Sequence, residues 1–162
     1  MESVIDKVIL DIGLMAATLE SDGGFEESLP LKAVYFGDPG VIPGSLYPCA
    51  TVEAISNTSD SESTGFDKRD LVVAITLHID AREFFDSAAD EATGDRALVR
   101  ASFQVEKWFR RRAKRTLDGL QGVNNVSVQG TAYPRPQYRR PVITKSSRTT
   151  LLVRKSYARV LD

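Results

Sequence analysis

Apolar residues recur every three or four positions in two segments of the chain, and this spacing predicts two amphipathic helices. The first is predicted over residues 2–19, before Gly23. The second is predicted over residues 96–120, where it ends near Gly119. Its stripe consists of Val99, Phe103, Phe109, Ala113, Leu117 and Leu120, widened by Leu98, Val105 and Trp108. Each stripe needs an apolar surface, such as one face of a sheet, to cover it.

Short apolar or alternating runs predict five strands, over residues 31–36, 47–56, 70–80, 126–130 and 149–160. In the clearest of them, one face consists of Leu71, Val73, Ile75, Leu77 and Ile79. The order of elements predicts an α+β fold, in which a mainly antiparallel sheet of about five strands packs against two long helices. We expect a single domain over residues 1–162, with exposed loops near residues 57–68, 81–95 and 134–147. The second loop would begin with a helical turn.

Composition then limits the class of protein. The chain has 162 residues, of which 42% are hydrophobic and 27% charged, as in an ordinary globular domain. Because Cys49 is the single cysteine and His78 the single histidine, we expect neither an internal disulfide nor a structural zinc module. The start of the chain predicts no signal peptide. No apolar run approaches the ~18–20 residues of a membrane span.

Charge is distributed very unevenly along the chain. Residues 1–96 carry 19 acidic and 6 basic side chains, whereas residues 97–162 carry 3 acidic and 15 basic side chains. The net charges of −13 and +12 indicate an electrostatic partner for one half or both. Three interpretations stay open: the basic half meets nucleic acid, it meets the acidic half of another copy, or the two halves neutralise each other within one chain.

Several residues are candidates for catalysis, but none has the partner residues that a catalytic site requires. Clustered carboxylates would hold magnesium in a nuclease, and Asp67, Asp70, Asp80 and Glu83 are the candidates. Acids at strand ends are more often solvated turn residues. The strand histidine has no nucleophile at a suitable spacing, and the strand cysteine has no basic neighbour. We therefore expect no enzymatic activity, no metal and no cofactor. The glycines around residue 38 do not form a phosphate-binding motif either.

Two segments have the composition of contact surfaces. On the predicted second helix, Lys107, Arg111, Lys114 and Arg115 would share one side, where they would contact phosphates, dock on an acidic neighbour, or simply be solvated. The run Pro-Arg-Pro-Gln-Tyr-Arg-Arg-Pro at residues 134–141 adds Tyr138, Arg139 and Arg140 on an extended segment. This segment would be an arm that reaches a partner, or a long crossing loop.

Residues 31–53, Leu-Lys-Ala-Val-Tyr-Phe-Gly-Asp-Pro-Gly-Val-Ile-Pro-Gly-Ser-Leu-Tyr-Pro-Cys-Ala-Thr-Val-Glu, resemble the early strands of tail terminator and neck proteins of tailed bacteriophages. The similar features are the aromatic-Gly-Asp-Pro turn, the Ile-Pro pair, and the Tyr-Pro that leads into a Val-Glu strand. The order of the remaining elements agrees with that family. By motif, the resemblance covers only this segment.

The resemblance implies a virion protein assembled in the cytoplasm of a host bacterium. It implies a homo-oligomeric ring, usually a hexamer, that caps the tail tube, ends tail growth and joins the tail to the neck. The implied partners are other copies, the tail tube protein and a neck or head-completion (stopper) protein, with DNA passing through the lumen and no membrane. Interface residues would be Gly37, Asp38, Pro39, Ile42, Leu46 and Tyr47 of the turn, together with the basic and arm residues above. The alternative is a nucleic-acid-binding protein that uses the basic C-terminal half.

Overall fold

Two helices and six strands make up the described part of the chain, which is residues 2–61, 66–84, 93–139 and 142–158 of a computed structural model. Helix α1 is Glu2–Ala16 and helix α2 is Thr93–Phe109. The strands are β1 Ala33–Phe36, β2 Cys49–Ser61, β3 Phe66–Asp80, β4 Val123–Ala132, β5 Gln137–Arg139 and β6 Val142–Ala158. No helix in these ranges is long and apolar enough to cross a bilayer.

The strands form one mixed sheet with the order β1-β2-β3-β6-β4, and β5 pairs with the start of β6. Only β1 runs parallel to its neighbour, and every other described pair is antiparallel. The prediction of a mainly antiparallel sheet is therefore confirmed. The short strand β5 is an addition to the five strands that the alternation predicted.

The predicted apolar face of β3 is the centre of the main core, and both helices cover it. Leu71, Val73, Ile75, Leu77 and Ile79 are all buried. Helix α1 packs over β1 and β2, while α2 packs over β6, β4 and β3. The buried side chains of α1 are Val4, Ile5, Val8, Asp11, Ile12 and Met15. One of these six, Asp11, is a charged residue.

The loop boundaries differ from the prediction where polar residues lie in strands. Residues 57–61 and 66–68 belong to a long β2–β3 ribbon, and residues 142–147 belong to β6. Ladder hydrogen bonds to neighbouring strands satisfy the backbone there, so exposed polar side chains do not end the strands. The helical turn predicted after β3 is present at Ala81–Phe84. The other predicted loop residues, 62–65, 85–92 and 140–141, and the strand residues 159–160 lie outside the described ranges.

The prediction for the second helix is wrong at its C-terminal end and in its buried face. The helix stops at Phe109 instead of Leu120, so neither helix is especially long. Ala97, Leu98, Ala101, Val105 and Trp108 face the core, together with Phe109. Val99 and Phe103, which the sequence placed in the buried stripe, are exposed. A run of three adjacent apolar residues, Ala97, Leu98 and Val99, allowed two helix faces, and the contacts with the sheet selected one of them.

Candidate interaction surfaces

The segment that carries the phage resemblance folds as β1, a closely bonded loop and the start of β2. Gly37 and Gly40 have positive φ angles of 71° and 72°, a conformation that glycine adopts at little cost. The carboxylate of Asp38 accepts a hydrogen bond of 2.8 Å from the Gly40 backbone N–H. A short 3-10 helix at Gly44–Leu46 follows, and the Tyr47–Pro48 peptide bond is cis. These local bonds define the conformation of the loop.

Part of this loop folds back onto its own sheet. Tyr47 and Cys49 are buried in a small cluster, against which Ile42 and Tyr35 pack. Because Cys49 pairs with the strand residue His78, this cluster lies on the face of the sheet opposite the helices. Leu46 is half-buried. The prediction that these apolar residues face a partner stays untested. Ile42 and Tyr47 already pack against residues of their own chain.

The rest of the loop leaves apolar surface uncovered. Val41 has 86% of its surface exposed, and Phe36, at the end of β1, has 66%. Asp38 and Pro39 are also exposed, whereas Gly37 is half-buried. The loop therefore presents two large apolar side chains on a backbone that is already ordered.

A cleft of about 610 Å³ lies between this loop and the polar face of the sheet. Its floor includes Thr51, Thr76 and Arg148, which are cross-strand neighbours on β2, β3 and β6. Thr51 Oγ1 lies 3.2 Å from His78 Nε2, and an Arg148 guanidinium nitrogen lies 3.9 Å from a Glu53 carboxylate oxygen. The floor is thus polar, with side chains engaged with one another.

The cysteine and the carboxylates, which were considered as candidates for chemistry, have the following geometry. Burial raises the pKa of the Cys49 thiol to about 12, so the thiolate that a nucleophile needs is scarce at neutral pH. Asp70 and Asp80 lie near opposite ends of β3, roughly 33 Å apart at about 3.3 Å per residue. Asp80 is bound by Arg82 at 2.6 Å. No group of three metal-binding side chains occurs in the described ranges.

The basic residues after Trp108 do not share one side of a helix, because α2 ends at Phe109. A turn follows, and then a 3-10 helix at Lys114–Thr116 that leads into Leu117 with a φ of 49°. Trp108, Phe109 and Leu117 are all buried, and the turn brings the last of them back to the core. We infer that these core contacts outweigh continuation of a helix through a run of like charges.

Lys114 is part of a buried ion-pair network instead of a contact surface. Its ammonium lies 2.7 Å from an oxygen of Asp11, which is only 2% exposed, and 2.6 Å from an oxygen of Asp118. Lys7 reaches Asp118 at 2.8 Å. Burial by itself would lower the pKa of Lys114, but the hydrogen bonds to both carboxylates outweigh it and raise that pKa above 10.5. The hydrogen bonds from Lys114 and Lys7 lower the pKa of Asp118.

The other three basic candidates have different surroundings. The Arg111 guanidinium lies 4.4 Å from the centroid of the Trp108 ring and donates a hydrogen bond of 3.1 Å to the backbone oxygen of Asp22. Lys107 and Arg115 are exposed, and no carboxylate of the described residues pairs with them. The predicted basic surface is therefore reduced to these two residues and their exposed neighbours.

Ion pairs between the acidic and basic halves support the third interpretation of the charge distribution, internal neutralisation. In four of them a base of the basic half meets an acid of the acidic half: Lys114–Asp11, Arg148–Glu53, Arg154–Asp70 and Lys145–Asp95. The predicted arm is also partly internal, since the backbone of Tyr138 and Arg139 pairs with β6. Arg140 lies outside the described ranges.

Two features were not predicted from the sequence, although the sequence contained an indication of each. The isolated Asp11 lies between Val8 and Ile12 of an apolar stripe, a position where a charge needs a buried partner. Leu10 and Leu14 of α1 are exposed, and so are Val99 and Phe103 of α2. A helix with more apolar residues than one stripe requires has a second face to cover.

Comparison with known proteins assigns no family to the chain. No family model matches it, and no curated protein matches it. Among solved structures, it is similar to a chain of the "Virion of native gene transfer agent (GTA) particle". That similarity has 16% sequence identity and a TM-score of 0.43, over 88% of this chain and 92% of that one.

Proposed function

We propose that this protein is a structural component of a tailed-phage virion and has no enzymatic activity or cofactor. In this proposal it forms a ring of six copies, the number that the resemblance implies, which caps the tail tube and joins it to the neck. The resemblance over residues 31–53 motivates the proposal. The observation that carries it is the exposure of Phe36 and Val41 within that same segment.

The physical argument concerns the cost of ordering a contact surface. Binding immobilises flexible segments, and each rotamer-rich side chain costs about 0.5–1.5 kcal/mol to order. The bonds at Gly37, Asp38 and Gly40 hold the loop before any partner arrives. A valine has few rotamers to lose. Exposed apolar residues on such a loop are typical of a surface that a protein partner covers. We assign the tail tube or the neck protein as that partner.

The proposal is tested by mass and by tail binding. Light scattering of the purified protein should show a particle near six times 17.8 kDa, or, if the ring assembles only on a tail, six copies should bind to each tail that lacks the protein. Val41→Asp should prevent attachment to tails because it places a charge in an apolar contact. The matched control is Ser45→Asp, which adds the same charge at an exposed position of the same loop. Normal attachment of Val41→Asp would contradict the assigned role of the loop.

A nucleic-acid-binding protein is the second candidate, and one observation favours it. Arg96, Arg100 and Lys107 are exposed on α2 beside Phe103, and none has a carboxylate partner among the described residues. Such a surface would contact phosphates, with an affinity for DNA that falls steeply as salt rises. A monomeric protein with salt-dependent DNA binding would favour this candidate over the ring.

A further inference from the structure

Helix α1 has an outer face that nothing in the described chain covers. We define the α1 face as Asp6, Leu10, Gly13 and Leu14, which lie on one side of the helix, together with Ala17, which follows the end of the helix. All five are exposed. Leu10 has 67% of its surface exposed. A side-chain carbon at Gly13 would meet nothing within 4 Å. The face is therefore an apolar pair with a gap beside it and an acid at one end.

Helix α2 has an outer face of similar layout and opposite charge. We define the α2 face as Arg96, Val99, Arg100, Phe103 and Lys107, which share one side of the helix and are all exposed. Phe103 has 61% of its surface exposed. Three cations lie beside this aromatic side chain on the helix, and none of them pairs with a carboxylate of the described residues.

We propose that the α2 face of one copy packs against the α1 face of the next copy. The inference rests on the proposed ring and names the surfaces that would join its subunits. Each face combines an apolar pair, spaced four residues apart, with charge of the sign that the other face lacks. Further acids, Glu20, Asp22 and Glu26, lie in the segment after α1 and have no ion pair among the described residues. Two different faces of one chain make a head-to-tail interface, which generates rings or filaments.

The shapes of the two faces favour a second copy over DNA. A groove of about 280 Å³ lies beside the α1 face, between the helix and β1, and is lined by Gly13, Ala16, Ala17, Leu31, Lys32, Ala33 and Val34. It is mostly apolar and offers a place for a large side chain such as Phe103. Apolar anchors that fill a pocket, with charges at the rim, are typical of protein–protein contacts. A DNA site would leave the apolar face of α1 without a role.

Cross-linking tests the pairing directly. Leu14→Cys and Phe103→Cys would be prepared as separate proteins and treated with a short bis-maleimide, alone and mixed. Cys49 is buried with a raised pKa, so it should not react. The proposal expects cross-linked dimers only in the mixture, and a ladder of multimers from the double variant. Cross-linking of either single variant alone would show a symmetric contact and overturn the pairing.

Four substitutions measure the strength of the contact. Phe103→Ser should raise the concentration at half-assembly roughly 10-fold or more, as expected for an aromatic anchor. Gly13→Gln should do the same by filling the gap, while its melting temperature as a monomer does not fall. Arg100→Asp should weaken assembly, and mixing it with Asp6→Arg should restore it. Failure of that charge swap to restore assembly would count against the proposed contact between the α1 face and the α2 face.

The outcomes separate this inference from the proposed function. If the wild-type protein forms rings and the α1-face and α2-face variants assemble normally, the pairing is wrong and the ring stands. If Val41→Asp fails to attach to tails but assembles with itself, the proposed function is supported, and the α1-face and α2-face variants decide the pairing. If the wild-type protein stays monomeric, alone and with tails, both are overturned. A monomer whose DNA binding is lost in Arg100→Asp would assign the α2 face to nucleic acid instead.

Discussion

Replacing Lys114 with methionine should destabilise the protein more than any other single loss of charge described above. Methionine has a similar length, so the substitution mainly removes the ammonium. Asp11 would then keep a carboxylate that is 2% exposed, with one oxygen that already lacks a hydrogen-bond partner. Removing one partner of a buried ion pair costs about 3–5 kcal/mol, because the other charge is left in a medium of low dielectric. Domains are stable by only about 5–15 kcal/mol, so the loss would be severe.

The expected order of stabilities distinguishes charge from packing. Asp11→Asn should cost less, because Lys114 keeps its contact with Asp118. The double variant Asp11→Leu with Lys114→Met removes both charges and should recover most of the loss, since an apolar pair of similar volume is often tolerated. Arg112→Met, an exposed cation in the same turn, is the control and should stay within about 0.5 kcal/mol of wild type.

The measurement is urea unfolding followed by circular dichroism at pH 7, at a concentration where every variant is monomeric. In a thermal scan, 3–5 kcal/mol corresponds to a fall in Tm of about 6–20 °C for a chain of this size. If Lys114→Met unfolds at the same urea concentration as Arg112→Met, the ammonium does not stabilise the buried carboxylate. If the double variant is as unstable as Lys114→Met alone, the loss arises from packing and the electrostatic reasoning fails.

Three further predictions concern pH, glycine and the cysteine. Burial by itself would raise the pKa of Asp80, but its hydrogen bonds and ion pair with a neighbouring arginine hold that pKa below 3.8. Its contribution to stability is therefore present above about pH 4 and lost as the pH falls through the folded pKa. Asp80→Asn should flatten this part of an acid titration of the urea midpoint, and an unchanged slope would contradict the assignment. Gly24→Ala should lower the Tm, because the added carbon would lie 1.9 Å from the backbone oxygen of Thr18. Gly13→Ala, its control in open space, should add about 0.5–1 kcal/mol of stability through helix propensity. Cys49 should resist a thiol reagent at pH 8 in the native protein and react once urea unfolds it. Rapid labelling of the native protein would show that the thiol is accessible.

The candidate surfaces were predictable only where a local pattern carried the information. The glycines, proline and aspartate of residues 37–40 predicted a turn, and the structure confirms it. The same pattern did not show which side chains of the loop fold back, because that depends on Tyr35 and Cys49 on two other strands. The basic run of residues 107–115 was visible as composition. Its internal use depends on Asp11, which lies about a hundred residues away in the chain.

Elements whose hydrophobic period is unambiguous could be predicted from the sequence. The alternation from Leu71 to Ile79 gives β3 one face on which every residue is a large apolar one, so the core strand and its orientation followed directly. The three- and four-residue spacing also predicted α1, although the helix ends at Ala16 and not at residue 19. A mainly antiparallel sheet with two helices followed from the order of these segments.

The end of the second helix, and the side of it that is buried, depend on contacts within the folded protein. Apolar residues surround much of α2, so periodicity permitted either the face of Phe103 or the face of Ala101 to enter the core. The face that packs against the sheet has small residues at Ala97 and Ala101, and both are buried. Phe103 lies on the exposed side of the helix. The helix ends at Phe109, and the chain then turns, so that Leu117 reaches the core and Lys114 reaches Asp11 on α1. Contacts between residues distant in the chain decided both outcomes, and a local pattern does not encode such contacts.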